Sequence, residues 1–123
     1  MYRKLILALA ITTAQAHEMT PAYPKPSPSH VSGVQKVSLE MFNRRSDVEY
    51  YEIGVFTKDF KPIHFVTQYS IIKLNYLGRI KLDIYIRDED IKDAVYICSQ
   101  SKLRSDADKG AAVSSKICSK LSH

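Results

Sequence analysis

The stretch Arg79-Ile80-Lys81-Leu82-Asp83-Ile84-Tyr85-Ile86-Arg87 decides the fold class of this 123-residue chain. Four aliphatic residues alternate in it with polar ones, which is the period of a β-strand with one buried and one solvent-facing side. The chain shows no long stretch with the apolar period of a helix. This segment therefore predicts an all-β protein.

Shorter segments of similar character lie on both sides of this strand and are separated by polar turns. We predict further strands over residues 37–42, 48–56, 63–67, 94–99 and 116–121. A charged corner over 88–93 forms at most one helical turn, and residues 101–115 form a polar loop. With an edge strand in the proline-rich, extended lead-in of residues 17–33, about seven short strands predict an antiparallel β-sandwich of roughly immunoglobulin size.

Residues 1–16 have the pattern of a cleavable signal peptide. Arg3 and Lys4 precede a short apolar run, and Ala14-Gln15-Ala16 supplies the small residues that a signal peptidase requires. The apolar run is about half of the roughly 20 residues that a membrane-spanning helix needs. We therefore predict cleavage after Ala16, a single domain over 17–123 without stable membrane insertion, and export to the periplasm or the cell exterior.

Charge and cysteine content narrow the functional classes. The formal net charge of +5 is spread along the chain, so we predict no nucleic-acid partner. An even cysteine count in an exported chain indicates a disulfide between Cys98 and Cys118. The alternatives are two free thiols or a metal pair, although a zinc site would need further ligands close in sequence.

The segment Glu89-Asp90-Ile91, followed by Ala94-Val95-Tyr96-Ile97-Cys98, resembles the corner before strand F of immunoglobulin variable domains. The resemblance implies that Tyr96 forms a tyrosine corner, in which the hydroxyl bonds nearby backbone and pins the turn. The chain departs from antibody domains because it has no cysteine near Met41 and no tryptophan. Within this resemblance, the disulfide would tie strand F to strand G.

Three other stretches resemble the N-terminal domain of periplasmic pilus chaperones (PapD-like): Thr20-Pro21, Phe65-Val66-Thr67, and Ile72-Lys73-Leu74 through Gly78-Arg79-Ile80-Lys81-Leu82. This resemblance implies an immunoglobulin-like sandwich that acts by protein–protein contact. Pilus chaperones have two domains and a long strand G, whereas this chain has one domain and a short last strand. The chain also looks like short exported proteins of tailed phages, in stretches 17–21, 49–55 and 81–86, which implies no known activity.

The residues that could carry catalysis or bind a metal form no recognisable motif. None of the four histidines (His17, His30, His64 and His123) has the sequence context of a catalytic base, so we predict no enzymatic activity. The acidic residues of 88–93 do not follow the calcium-loop spacing and are interpreted as a solvated corner.

His17 would become the first residue of the mature chain. Its free amine and imidazole would then form a bidentate chelate suited to Cu(II). This arrangement is similar to exported copper carriers that begin with histidine (CopC-like). The alternative function is therefore a copper-binding carrier, with His64 or His30 as further ligands, whereas the main interpretation includes no cofactor.

The main functional hypothesis is a non-enzymatic exported sandwich that binds another protein, as a chaperone-like or phage-related accessory protein. Exposed aromatic residues beside arginines are typical of recognition surfaces, and edge strands offer a second route to binding. Strand parity and proximity predict this surface from the residues Phe42, Arg44, Arg45, Tyr50, Arg79 and Tyr85. The alternative is that these are ordinary surface side chains.

Overall fold

The alternating stretches of the sequence form two stacked β-sheets in the computed structural model, which describes residues 17–102 and 114–123. The predicted signal peptide and residues 103–113 of the predicted polar loop lie outside the described residues. The described elements are β1 (Glu18–Thr20), β2 (Ser27–Pro28), β3 (Val34–Phe42), β4 (Tyr50–Phe56), β5 (Ile71–Lys73), β6 (Arg79–Arg87), α1 (Asp88–Ile91), β7 (Tyr96–Lys102) and β8 (Lys116–Lys120).

The two sheets are antiparallel throughout. In the first sheet, β3 pairs with β6 on one side and with the short strands β1 and β2 on the other. In the second sheet the order is β5-β4-β7-β8, so β8 forms one edge. The predicted immunoglobulin-like antiparallel sandwich is therefore confirmed, and the strand over Arg79–Arg87 has the predicted bounds.

The core lies between the sheets and is built by the predicted alternation. Each long strand turns every second side chain inward, because successive side chains of a strand point to opposite faces. Burial of each aliphatic side chain contributes about 1.5–3 kcal/mol. The buried residues that follow this alternation are Val37, Leu39 and Met41 of β3, Tyr51, Ile53 and Val55 of β4, Leu82, Ile84 and Ile86 of β6, and Ile97 of β7.

The strand predicted over residues 63–67 is not a continuous strand. The segment makes one isolated bridge from Pro62 to Phe56 of the second sheet and another from Val66 to Tyr85 of the first. It crosses from one sheet to the other, so pairing with either sheet cannot extend along it. Conversely, β7 runs to Lys102, beyond the predicted end at residue 99, because its polar residues continue to pair with β4.

The proline-rich lead-in also changes sheets, and this positions the candidate site. β1 pairs with β3 in the first sheet, and the chain then passes through the cis peptide bond between Thr20 and Pro21. Beyond it, the carbonyl oxygen of Ala22 accepts a hydrogen bond from the Lys120 N–H at 2.9 Å, and that of Pro24 accepts one from the Ser122 N–H. The backbone of the lead-in thus hydrogen-bonds to the end of β8 but not to its beginning.

Candidate protein-binding edge and its surroundings

The backbone of β8 alternates between groups that face β7 and groups that face outward. The Ser101 N–H donates to the Ser115 carbonyl at 2.9 Å, and the Leu121 N–H donates to the Val95 carbonyl at 2.8 Å. Since hydrogen-bonded and non-hydrogen-bonded pairs alternate along an antiparallel ladder, the odd-numbered residues of β8 bond to β7. The N–H and C=O groups of Lys116 and Cys118 therefore point away from the sheet.

These outward groups form an open edge. Ala22 bonds the N–H of Lys120, but within residues 17–102 and 114–123 no hydrogen bond to the outward backbone groups of Lys116 or Cys118 is found. A strand edge with free donors and acceptors can pair with another extended chain. We call the stretch from Ser114 to Cys118 the β8 edge.

The disulfide between Cys98 and Cys118 joins β7 to this edge. The two cysteines are directly opposite each other in the strand register, and they form a non-hydrogen-bonded pair. Such pairs bring the Cα atoms closer than hydrogen-bonded pairs do, and here the Cα–Cα distance is 4.0 Å. The predicted disulfide is confirmed, and it fixes the edge strand to its neighbour.

An aromatic cluster formed by Phe56, Phe60 and Tyr96 covers the outer face of the second sheet beside the disulfide. The rings of Phe60 and Tyr96 are stacked, with centroids 4.7 Å apart and an interplanar angle of 4°. The Nζ atom of Lys116 lies 5.0 Å from the Phe56 ring centroid and 5.1 Å from that of Phe60. The Phe56 ring lies across Gly54, where an added Cβ would come within 2.6 Å of it.

Tyr96 belongs to this cluster and does not form the predicted tyrosine corner. Ile97 faces the core, so the neighbouring Tyr96 side chain lies on the outer face, where it stacks on Phe60. Its hydroxyl makes no hydrogen bond with a described residue, so the structure shows no tyrosine corner there. The turn before β7 is instead closed by backbone hydrogen bonds from Asp93 to Asp90 and from Ala94 to Ile91.

Three of the six predicted interaction residues meet on the outer face of the first sheet. The Arg79 guanidinium lies 4.1 Å from the Phe42 ring centroid, and that of Arg44 lies 5.4 Å from it. Arg44 also pairs with Glu18 at 3.2 Å, and Arg79 with Glu40 at 3.1 Å. The aromatic–arginine group is real, but its cations already have acidic neighbours.

The remaining three predicted interaction residues do not join that group. Tyr85 lies farther along β6, with its ring at the edge of the His30 ring. Tyr50 belongs to the second sheet, where it is opposite Lys73 and Lys102.

Arg45 does not belong to the predicted exposed surface, because its side chain is buried. Its guanidinium donates to the Asp47 carboxylate at 2.6 and 2.9 Å, and this neutralising partner makes burial of the charge tolerable. Those hydrogen bonds hold the pKa of the Asp47 carboxyl below its ordinary value.

His17 is buried, and it contacts Ser115 of the β8 edge. Its Nε2 atom lies 2.6 Å from the Ser99 Oγ, and its Nδ1 atom lies 3.2 Å from the Ser115 Oγ. Burial lowers the pKa of the imidazole to about 4; the hydrogen bond to Ser99 opposes this shift and the charge of Arg45 adds to it. The neutral ring therefore ties the N-terminal strand to β7 and to the residue before β8.

The structure does not assemble the copper site that the alternative function would use. Both ring nitrogens of His17 have hydroxyl partners, His64 is exposed, and His30 packs against Tyr85. Among the described residues, no group of three histidine, cysteine, aspartate or glutamate side chains could hold a metal ion.

Asn43 and Tyr51 are structural residues that the sequence reasoning missed. The Asn43 amide donates to the carbonyl oxygens of Val48 and Leu74, each at 2.8 Å, and its Oδ1 accepts hydrogen bonds from the Tyr51 hydroxyl and the Arg45 N–H. The signal was present, because residue 43 continues the inward parity of 37, 39 and 41. A polar residue at a buried position indicates a hydrogen-bonded network.

Comparison with known proteins shows the fold. No protein-family model and no curated protein matches the sequence. The E. coli chaperone DraB is similar in structure, with a TM-score of 0.61 and 18% identity over 86% of this chain and 53% of that one. The Salmonella enterica complex of the SafA pilin with the SafB chaperone gives a TM-score of 0.63 and 14% identity over 86% of this chain and 52% of that one.

This chain spans about half the length of those structural neighbours. Neither neighbour supports the resemblance to phage proteins. Within the described part of the chain, no helix is long and apolar enough to cross a membrane. The structure thus has an immunoglobulin-like β-sandwich fold similar to that of these two chaperone structures.

Proposed function

We propose that this protein is a chaperone-like binding protein that pairs its β8 edge with an extended strand of another polypeptide. The observation that carries the proposal is the pair of outward backbone positions at Lys116 and Cys118, which no described residue covers. The structural neighbours support it, since one is a chaperone and the other is a chaperone bound to a pilin.

The edge is suited to binding because it is held in place before a partner arrives. The disulfide fixes Cys118 to β7, and the hydrogen bond from Lys120 to Ala22 holds the far end of β8. A preformed edge loses little conformational entropy on binding, so backbone hydrogen bonds to the partner contribute more to affinity.

The proposal contains no catalytic step. The contact between Ser99 and His17 has the atom types of a nucleophile and its base, but both side chains are buried. A substrate needs access to the nucleophile and a group that orients the base, and Nδ1 of His17 faces a serine hydroxyl. Export to an oxidising compartment is part of the proposal and agrees with the disulfide.

Amide hydrogen exchange tests the proposal directly. The probe is the blocked heptapeptide Thr-Val-Thr-Val-Thr-Val-Thr, titrated into the isotopically labelled protein. We expect slower exchange at the Lys116 and Cys118 amides, since both would become hydrogen-bonded to the peptide. Absence of protection at millimolar peptide, or protection only at other strands, would contradict strand addition at β8.

A proline variant supplies the matched control. In Lys116→Pro, the missing N–H is one that faces outward, so no hydrogen bond to β7 is lost. We expect this variant to keep the fold and to lose peptide binding, whereas Lys116→Ala keeps both. Equal binding by the proline and alanine variants would place the peptide elsewhere.

A further inference from the structure

We infer that the strand accepted at the β8 edge carries acidic side chains on the face that lies beside Lys116 and Lys120. This inference rests on the proposed function and adds the chemical class of the partner. It follows from the register of β8 and from the charges around it.

The register decides which partner residues share a face with the lysines. A partner residue that pairs with the outward backbone of Lys116 or Cys118 places its side chain on the same face as theirs, because directly opposed residues of paired strands share a face. That face also bears Lys120. The intervening partner residue points toward the core, beside the half-buried Ile117, which packs against the core.

The outer face beside the edge is positively charged. Lys116 and Lys120 are both exposed, and neither forms an ion pair with a described residue. Lys116 is directly opposite Gln100 of β7, and Gln100 is directly opposite Glu52 of β4. Glu52 is two strands away and is already paired with Lys102 at 2.9 Å.

The aromatic cluster holds one of these charges in place. The Nζ atom of Lys116 sits over the rings of Phe56 and Phe60, and the residue remains exposed to solvent. Lys120 makes no ring contact with a described residue and lies opposite Tyr96. A carboxylate on the added strand would meet one positioned and one free ammonium group.

The expected partner strand therefore alternates acidic and apolar residues. Acidic residues pair with Lys116 and Cys118, and the second of them is diagonal to both Lys116 and Lys120. An apolar residue packs beside Ile117. Opposite charges on neighbouring strands stabilise the pairing, and like charges oppose it. Over two such positions, we expect a preference of about tenfold for an acidic over a basic strand.

Two peptides that differ only in charge test the inference. The probes are blocked Thr-Val-Glu-Val-Glu-Val-Thr and Thr-Val-Lys-Val-Lys-Val-Thr, compared by dissociation constant and by protection of the Lys116 and Cys118 amides. We expect about tenfold tighter binding of the glutamate peptide at low salt, with the difference shrinking at high salt. If both peptides protect those amides with equal affinity, the inference fails and strand addition stands. If neither peptide protects them, the proposed function itself fails.

Charge reversal identifies the lysines responsible. The double variant Lys116→Glu/Lys120→Glu should prefer the lysine peptide, and Lys120→Glu alone, which leaves the ring contacts intact, should weaken the original preference. The matched control is Lys73→Glu, on the opposite edge of the same sheet, which should keep the preference of the unchanged protein. A glutamate preference that survives the double reversal would overturn the assignment.

Discussion

The Nε2 atom of His17 lies 2.6 Å from the Oγ of Ser99, and both side chains are buried. This contact joins the strand nearest the N-terminus to a strand 82 residues later in the chain. The imidazole is neutral there because burial penalises its charged form. The contact therefore links stability to pH.

The pKa of His17 predicts a loss of stability in mild acid. The pKa is about 4 in the folded chain and 6.5 when unperturbed, so the unfolded chain binds the proton more readily between these values. Above about pH 6.5, His17 should not lower the free energy of unfolding. It should fall by on the order of 3 kcal/mol as the pH drops to 4. Urea unfolding at a series of pH values measures this.

His17→Gln and His64→Gln form the matched pair for that measurement. The first should flatten the pH dependence between pH 4 and 6.5, and the second should leave it in place because His64 is exposed. Asp47 adds its own loss only below about pH 4, because its ordinary pKa is 3.8 and the folded chain lowers it further. An unchanged slope in His17→Gln would show that another group is responsible.

Asn43 is expected to be among the most sensitive polar positions of the fold. Asn43→Ala would remove hydrogen bonds to two buried carbonyl oxygens and leave the Tyr51 hydroxyl without its acceptor. We expect a loss of about 2–4 kcal/mol in the free energy of unfolding, because buried polar groups would stay unsatisfied.

Tyr51→Phe is the milder comparison at the same network. It removes one donor, but the Asn43 Oδ1 still accepts from the Arg45 N–H. We expect a loss of about 1 kcal/mol. Equal losses in the two variants, measured by chemical unfolding, would contradict the arrangement of hydrogen bonds described for Asn43.

Removal of the disulfide should destabilise the sandwich without changing its topology. The cysteines are 20 residues apart, and closing a loop of this length stabilises the fold by about 3 kcal/mol through the unfolded state. The double variant Cys98→Ala/Cys118→Ala should therefore unfold at lower denaturant concentration. Reductant should lower the midpoint of the unchanged protein and not that of the variant; no effect on either would contradict the prediction.

The contact between Phe42 and Arg79 should be measurable as a coupling energy. The guanidinium lies 4.1 Å from the ring centroid on an exposed face, for which about 0.5–1 kcal/mol is typical. A double-mutant cycle with Phe42→Leu and Arg79→Gln measures it. The control cycle pairs Phe42→Leu with Arg87→Gln at the far end of β6, where additivity is expected.

The fold class could be predicted from particular residues because one physical rule governs them. In the segments around Val37, Ile53 and Ile84, the period of two sets which side chains share a face, and the apolar face is the one suited to burial. The end of β7 was harder to predict, since Ser101 and Lys102 look like loop residues until their pairing with β4 is known. The segment 63–67 has strand-forming residues but crosses between sheets, which no local pattern reveals.

The six predicted interaction residues come together only in part, and none of them belongs to the β8 edge. Phe42, Arg44 and Arg79 do come together, because Phe42 and Arg79 are opposite each other on paired strands. Arg45 has the same local sequence character as Arg44 but turns inward to Asp47, and Tyr96 turns outward to Phe60. The adjacent residues Arg44 and Arg45 thus have opposite surroundings, although both are arginines.

The amino-acid sequence by itself determined the alternating strands and supplied the two cysteines, since strand periodicity and the cysteine count are local or compositional properties. The tertiary structure decided where the sheets end. The lead-in pairs first with β3 and then with the end of β8, so it leaves the edge at Lys116 and Cys118 uncovered. Which edge of a sheet stays open depends on the path of a segment almost 100 residues away, and that path is decided by packing between the sheets.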